Sequence, residues 1–118
     1  MSEEEAAMAG EQVMQREEAR PVEMVPGITR RTLAQTAEAM IVEFELKAGA
    51  VLDNHHHPHH QAEYLVSGEV VMIIDGVEYP CQPGASWAIP GDVPHGVRVI
   101  EDSVIAGCFS PPREDYQD

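Results

Sequence analysis

Glu69-Val70-Val71-Met72-Ile73-Ile74-Asp75-Gly76-Val77-Glu78-Tyr79 decides the fold class of this chain. A run of β-branched and apolar residues meets Asp75-Gly76, and a second short run returns at Val77. An Asp-Gly pair readily takes the left-handed backbone positions of a two-residue hairpin turn, so two antiparallel strands are expected here. The same texture continues outward in both directions. Upstream, Tyr64-Leu65-Val66 runs into the turn Ser67-Gly68. Earlier still, Val42, Phe44 and Leu46 alternate with Glu43 and Glu45, the period of two that marks a half-buried strand. Downstream, Pro83-Gly84 and Pro90-Gly91 bracket Ser86-Trp87-Ala88-Ile89. Residues 96–100 and 103–109 complete the set before Pro111-Pro112 stops the last strand. Short strands at regular spacing, with no convincing helix after residue 28 and no βαβ alternation, predict an all-β sandwich or barrel.

At 118 residues, 43% of them hydrophobic, the chain suits one domain with one core. Its formal net charge of −14 argues against a nucleic-acid partner and against docking on anionic membranes. No apolar run approaches the ~20 residues of a membrane-spanning helix. The start Met1-Ser2-Glu3-Glu4-Glu5 has the wrong charge for a signal or transit peptide, so a soluble, cytoplasmic protein is expected. Cys81 and Cys108 lie in apolar strand-like segments and read as core thiols rather than a disulfide. Residues 1–21 carry six glutamates and two arginines and read as an acidic arm, disordered or a short helix. The β-domain then spans residues 22–116.

Five of the six histidines fall in His55-His56-His57-Pro58-His59-His60, and the sixth, His95, follows Asp92-Val93-Pro94. Strand alternation places His55, His57 and His59 on one face and His56 and His60 on the other. Gln61 shares inward parity with Glu63 and Leu65. Two histidines spaced by one residue, a polar residue four further on, and a distant histidine at the start of another strand form a metal signature. Imidazole nitrogen with amide oxygen accepts one divalent transition metal among Mn, Fe, Co, Ni, Cu and Zn. Gln61 reads either as an oxygen ligand or as an amide that orients a histidine. His59 reads as a pocket-lining residue. Trp87 and Tyr64 read as packing, and Cys108 as a small buried hydrophobe.

The spacing Gly49, five residues, His55-x-His57, Gln61, Gly68 resembles the first motif of the cupin superfamily. Gly84, five residues, Pro90 and His95 resemble its second motif, with Gly91 one place early and Asp92 at the usual glycine position. Over residues 27–116 the resemblance implies a single-domain jelly-roll barrel with one divalent metal held by His55, His57, His95 and Gln61. His55 to Gln61, Tyr64 to Gly68, Ile89 to His95 and Phe109-Ser110-Pro111-Pro112-Arg113-Glu114-Asp115 are similar to a subgroup of small cupins from pectin degradation. That likeness implies conversion of 4,5-unsaturated monouronates to linear keto forms, with Phe109 and Arg113 lining the pocket. The subgroup has an aspartate where this chain has Gly107. Either another carboxyl, Glu63 or Asp92, carries protons, or the chemistry differs.

Three functions follow from these readings. The first is a metal-dependent isomerase-like enzyme for a small anionic sugar derivative, with Arg113 as a carboxylate clamp or in an ion pair to tail acids. The second is a metal-dependent dioxygenase of a small organic substrate. The third is a non-catalytic module that binds a small ligand. A homodimer that covers open sheet edges is expected in each case.

Overall fold

The computed structural model describes residues 11–117, and the first half of the acidic arm lies outside them. Eight strands follow one another: β1 (Pro21–Val25), β2 (Ile28–Gln35), β3 (Met40–Leu46), β4 (Val51–His55), β5 (His60–Ile74), β6 (Val77–Cys81), β7 (Ser86–Ile89) and β8 (His95–Ser110). The only helical pieces among the described residues are single 3₁₀ turns at Arg16–Glu18 and Glu114–Tyr116. The all-β expectation holds, and the architecture is a jelly roll. Its hydrogen-bonded path, β1-β2-β3-β8-β5-β6, does not close on itself, while β4 joins through β8 and β7 through β5.

β5 and β8 are the long members, and they pair antiparallel from His60↔Ser110 to Ile74↔His95. The register slips between Leu65 and Val70, and such irregularities bend strands. The two ends of β5 and β8 therefore serve different neighbours. β3 takes residues 103–109 of β8 and β7 takes residues 61–64 of β5. β4 pairs residues 95–98 of β8, and β6 pairs residues 70–74 of β5. The hairpin read from Asp75-Gly76 is the β5–β6 turn, with both residues at positive φ.

Alternation along these strands fills the interior. Val42, Phe44 and Leu46 of β3 turn inward, as the sequence pattern predicts, while Ile41 is exposed. Phe109, Ile28, Met40, Leu65 and Ile89 are almost wholly buried, each contributing on the order of 2 kcal/mol through removal of apolar surface from water. Phe44, Phe109 and Tyr116 meet edge to face with centroids 5.6–6.4 Å apart.

Two packing expectations are corrected. In β8 the inward positions are Ile105, Gly107 and Phe109, so Cys108 projects outward and is exposed, whereas Cys81 is buried; both are free thiols. Tyr64 shares the outward parity of β5 and is half exposed, so it is not barrel packing.

Residues 11–20 lie along β2 and β3. Gln12 accepts from the Gln35 backbone at 2.9 Å, Arg16 pairs with Glu43 at 2.7 Å, and Ala19 is buried. Among the described residues no helix is long and apolar enough to cross a membrane.

Gly68 shows how tightly the β5 bend is held. It has φ +93°, and a Cβ there would lie 2.1 Å from Ser103 Oγ and 2.4 Å from the Asp102 carbonyl oxygen. Gly68→Ala is therefore expected to cost at least about 2 kcal/mol, from left-handed strain plus overpacking, read as a lowered urea midpoint.

Candidate metal centre

The site forms where β4 ends and both β5 and β8 begin. His55 is the last residue of β4 and His95 the first of β8, and the two are register partners across the β4–β8 pair. His57 stands in the short link to β5, and Gln61 is the second residue of β5. Their rings cluster, with centroids at 4.3 Å for His55–His95, 5.0 Å for His57–His95 and 5.9 Å for His55–His57. One ligand atom from each histidine lies within 4.8 Å of the others.

Backbone carbonyls set the tautomer of all three rings. His55 Nδ1 meets the Asp53 carbonyl at 2.8 Å, His95 Nδ1 meets that of Val93 at 2.9 Å, and His57 Nδ1 meets that of His59 at 3.1 Å. A carbonyl only accepts, so each Nδ1 carries the hydrogen and each Nε2 presents a lone pair. His57 Nε2 and His95 Nε2 are buried without a hydrogen-bond partner among the described residues, as is Gln61 Oε1. Buried acceptors without partners are costly, and three beside one another are what a cation would satisfy. These three histidines could hold a metal ion, and imidazole nitrogen is a donor that divalent transition metals accept. Nδ1–H donation to a carbonyl is the arrangement that orients metal-binding imidazoles.

The same burial favours neutral rings. His57 is lowered to about 4 by burial, then by the positive charge of Arg113, while the nearby Gln61 amide pulls the other way. Burial also lowers His95. Neutral imidazole is the ligating form, so competition from protons is weakened.

A cavity opens beside the cluster, lined by His55, Gln61, Glu63, His95, Arg113 and Tyr116, with Phe109 at its wall. Glu63 is the one carboxyl lining it among the described residues. Its Oε1 accepts from Gln61 Nε2 and Trp87 Nε1, both at 2.8 Å, and burial raises its pKa against the lowering effect of these bonds. Asp92, the alternative proton carrier, stands elsewhere: it is exposed, and its carboxylate faces His56 at 3.9 Å. It also explains the displaced motif glycine. Asp92 adopts φ +66° and its N–H donates to the His57 carbonyl at 2.7 Å. Gly91 is the residue that must be small, since a Cβ there would lie 2.4 Å from the Pro58 carbonyl oxygen.

His59 is buried, as alternation predicts, but its Nε2 faces Glu114 Oε2 at 3.3 Å instead of joining the trio. His56 and His60 are exposed. Arg113 lines the cavity and engages Asp115 through Nη2 at 2.8 Å and Nε at 3.2 Å. The ion pair to a tail acid is therefore present, with the guanidinium stacked 4.0 Å from the Tyr116 centroid. Phe109 is core and pocket wall at once. Sequence reasoning missed Tyr116 and the indole of Trp87. Tyr116 sits in a polar tail with no periodicity, although its place three residues after Arg113 was a usable hint. It is buried, and burial pushes its hydroxyl up to about 12.

A family model for the Cupin domain matches residues 42–107, more than half of the chain. The chain belongs to the cupin family. This cupin is 29% identical over 96 residues to the pectin degradation protein KdgF of Dickeya dadantii, across 80% of its own length and 87% of that protein. The solved structure of KdgF from Halomonas sp. superposes with TM-score 0.84 at 30% identity, covering 90% of this chain and 98% of the other. An RmlC-like cupin from Shewanella frigidimarina superposes with TM-score 0.85 at 30% identity, covering 92% and 98%.

The lowered histidine gives a signed pH dependence. The unfolded chain takes up the proton at His57 first, near 6.5, so metal-free protein keeps this stability above 6.5 and loses it as pH falls toward about 4. His95 acts in the same sense. Glu63, raised, acts in the opposite one, removing stability as pH rises above 4.5. Denaturant midpoints of chelated protein are expected to fall more steeply across that range than those of His57→Gln. Equal slopes would contradict the assignment.

Proposed function

We propose that this cupin binds one divalent transition metal through His55, His57, His95 and Gln61 and isomerises a small anionic sugar derivative, an unsaturated uronate, to its linear keto form. The observation that carries the reading is the cluster of three carbonyl-oriented imidazoles, with ligand atoms within 4.8 Å of one another, together with the partnerless Gln61 Oε1, beside a cavity that His55, His95 and Gln61 line. The similarity to pectin degradation proteins over most of the chain supports the substrate class.

A bound cation would supply positive charge that polarises a hydroxyl or carbonyl oxygen of the substrate. The four ligand atoms are neutral, so the protein leaves that charge undiminished at the site. This matters because the chain as a whole, at −14, repels anions, and capture depends on local positive groups. Arg113 is the guanidinium at the cavity, and a uronate carboxylate would compete with Asp115 for its two-pronged face. Phe109 supplies an apolar wall for the sugar ring. Ketonisation moves a proton from oxygen to carbon, and Glu63 is the carboxyl placed to hold it. Its Oε2 is free of the bonds to Gln61 and Trp87.

Polygalacturonate digested by a lyase gives the test. Metal-loaded protein is expected to accelerate the loss of ultraviolet absorbance of the unsaturated product, and His57→Ala to abolish that acceleration. An unaccelerated decay with fully loaded protein would refute the reading.

The homodimer belongs to the same proposal. β1 and β6 end the path of paired strands, so among the described residues each has one edge that no other strand pairs. Sedimentation equilibrium is expected to return twice the 13.0 kDa chain mass; a monomer at micromolar concentration would oppose it.

A further inference from the structure

Glu63 and Gly107 face each other across the β5–β8 pair. A Cβ built on Gly107 would lie 2.7 Å from Glu63 Oε2 and 3.0 Å from its Cγ. The side chain of Glu63 thus fills the volume that any larger residue at 107 would need. It has little room to swing aside, because it is buried and its Oε1 receives two hydrogen bonds.

Those two bonds have a directional consequence. The Trp87 indole nitrogen is only a donor, and an oxygen that receives two N–H groups carries no proton of its own. The side of the Gln61 amide that faces Glu63 is its NH₂, with Nε2 donating to Oε1 at 2.8 Å. The amide oxygen, on the other arm, is buried without a hydrogen-bond partner among the described residues, in a residue that lines the cavity together with His55 and His95. With no acceptor at 63, the amide could present either end to that cavity, and an NH₂ group ligates no cation.

We propose that Glu63 is the positioning residue of the centre: seated in the space left by Gly107, it locks the Gln61 amide with its carbonyl oxygen toward the three imidazoles and so makes Gln61 the fourth ligand. The proposal rests on the imidazole trio being a metal site. It goes beyond that reading by assigning the fourth ligand's orientation to a cross-strand pair outside the ligand set.

Co(II) is the probe, because its visible absorption reports the ligand set independently of turnover. Wild type, Glu63→Ala, Glu63→Gln, Gly107→Ala and the double variant Glu63→Ala/Gly107→Ala are compared for Co(II) affinity and spectrum, with folding checked by far-ultraviolet circular dichroism. Glu63→Ala is expected to bind Co(II) at least about tenfold more weakly with an altered band, as loss of a partner that orients a ligand does elsewhere. Glu63→Gln is expected to restore affinity, since an amide oxygen can still accept both N–H groups. Gly107→Ala is expected to weaken binding in wild type and to add nothing in the Glu63→Ala background, the non-additivity of a shared space. Wild-type affinity and spectrum in Glu63→Ala would overturn the proposal. Should that variant not fold, unchanged affinity in Gly107→Ala would overturn it instead. Absence of Co(II) binding by wild type, or undiminished binding by His57→Ala, would remove the metal reading itself.

Discussion

The pairing of β5 with β8 is the constraint on which the rest of this cupin depends. These two strands supply Gln61, Glu63, His95, Gly107 and Phe109, and their register decides which of these residues meet. Alternation has a period of two, so a slip of one residue would send Gln61 and Glu63 to solvent and bring Ala62 and Tyr64 inside. The irregularities lie between Leu65 and Val70, and the pairing is regular on either side of the bend, over residues 60–65 and 70–74 of β5. β4 then needs only to pair with the first residues of β8 for His55 to arrive beside His95.

Around that frame, the chemistry is set by backbone acceptors as much as by side chains. The carbonyls of Asp53, His59 and Val93 each take an Nδ1 hydrogen, two residues away along the chain. Local geometry therefore leaves the Nε2 lone pair free on all three imidazoles at once. The NH₂ of the Gln61 amide donates to Glu63, which also accepts from Trp87. A glutamate at 61 would have placed two carboxyl groups at hydrogen-bond distance in a buried site, which like charges oppose strongly. An amide beside a carboxyl avoids that conflict, so positions 61 and 63 form a matched donor and acceptor.

The tail closes the other side of the cavity. Tyr116 packs edge-on against Phe44 and Phe109, and Arg30 and Arg113 stack on its ring at 4.6 and 4.0 Å. Two cations stacked on one ring each gain from its quadrupole, and a ring that buries its own hydroxyl is disfavoured from ionising. The positive charge of Arg113 is thereby kept near the imidazoles, where it helps to hold His57 neutral.

Much of this was legible in the sequence by itself. Period-two alternation in residues 40–46, the Asp75-Gly76 turn and the glycine-bounded strands determined the all-β class. The spacing of His55, His57 and His95 pointed to the histidine cluster that could hold a metal ion, because parity along an extended chain survives folding. Tertiary structure alone decided what depends on contact between distant strands. Glu63 reaches the space of Gly107 only because β5 and β8 pair in this register, and a glycine carries no sign in sequence of what fills its missing side chain. Cys108 and Tyr64 look like core residues by hydropathy, yet pairing parity turns both outward. His59 shares the parity of His57, but the 3₁₀ turn at Glu114 supplies a carboxylate that draws its Nε2 away from the trio. Parity along one strand is a local property and can be read from residues in order. The partner across a sheet, or across a cavity, is set by the fold.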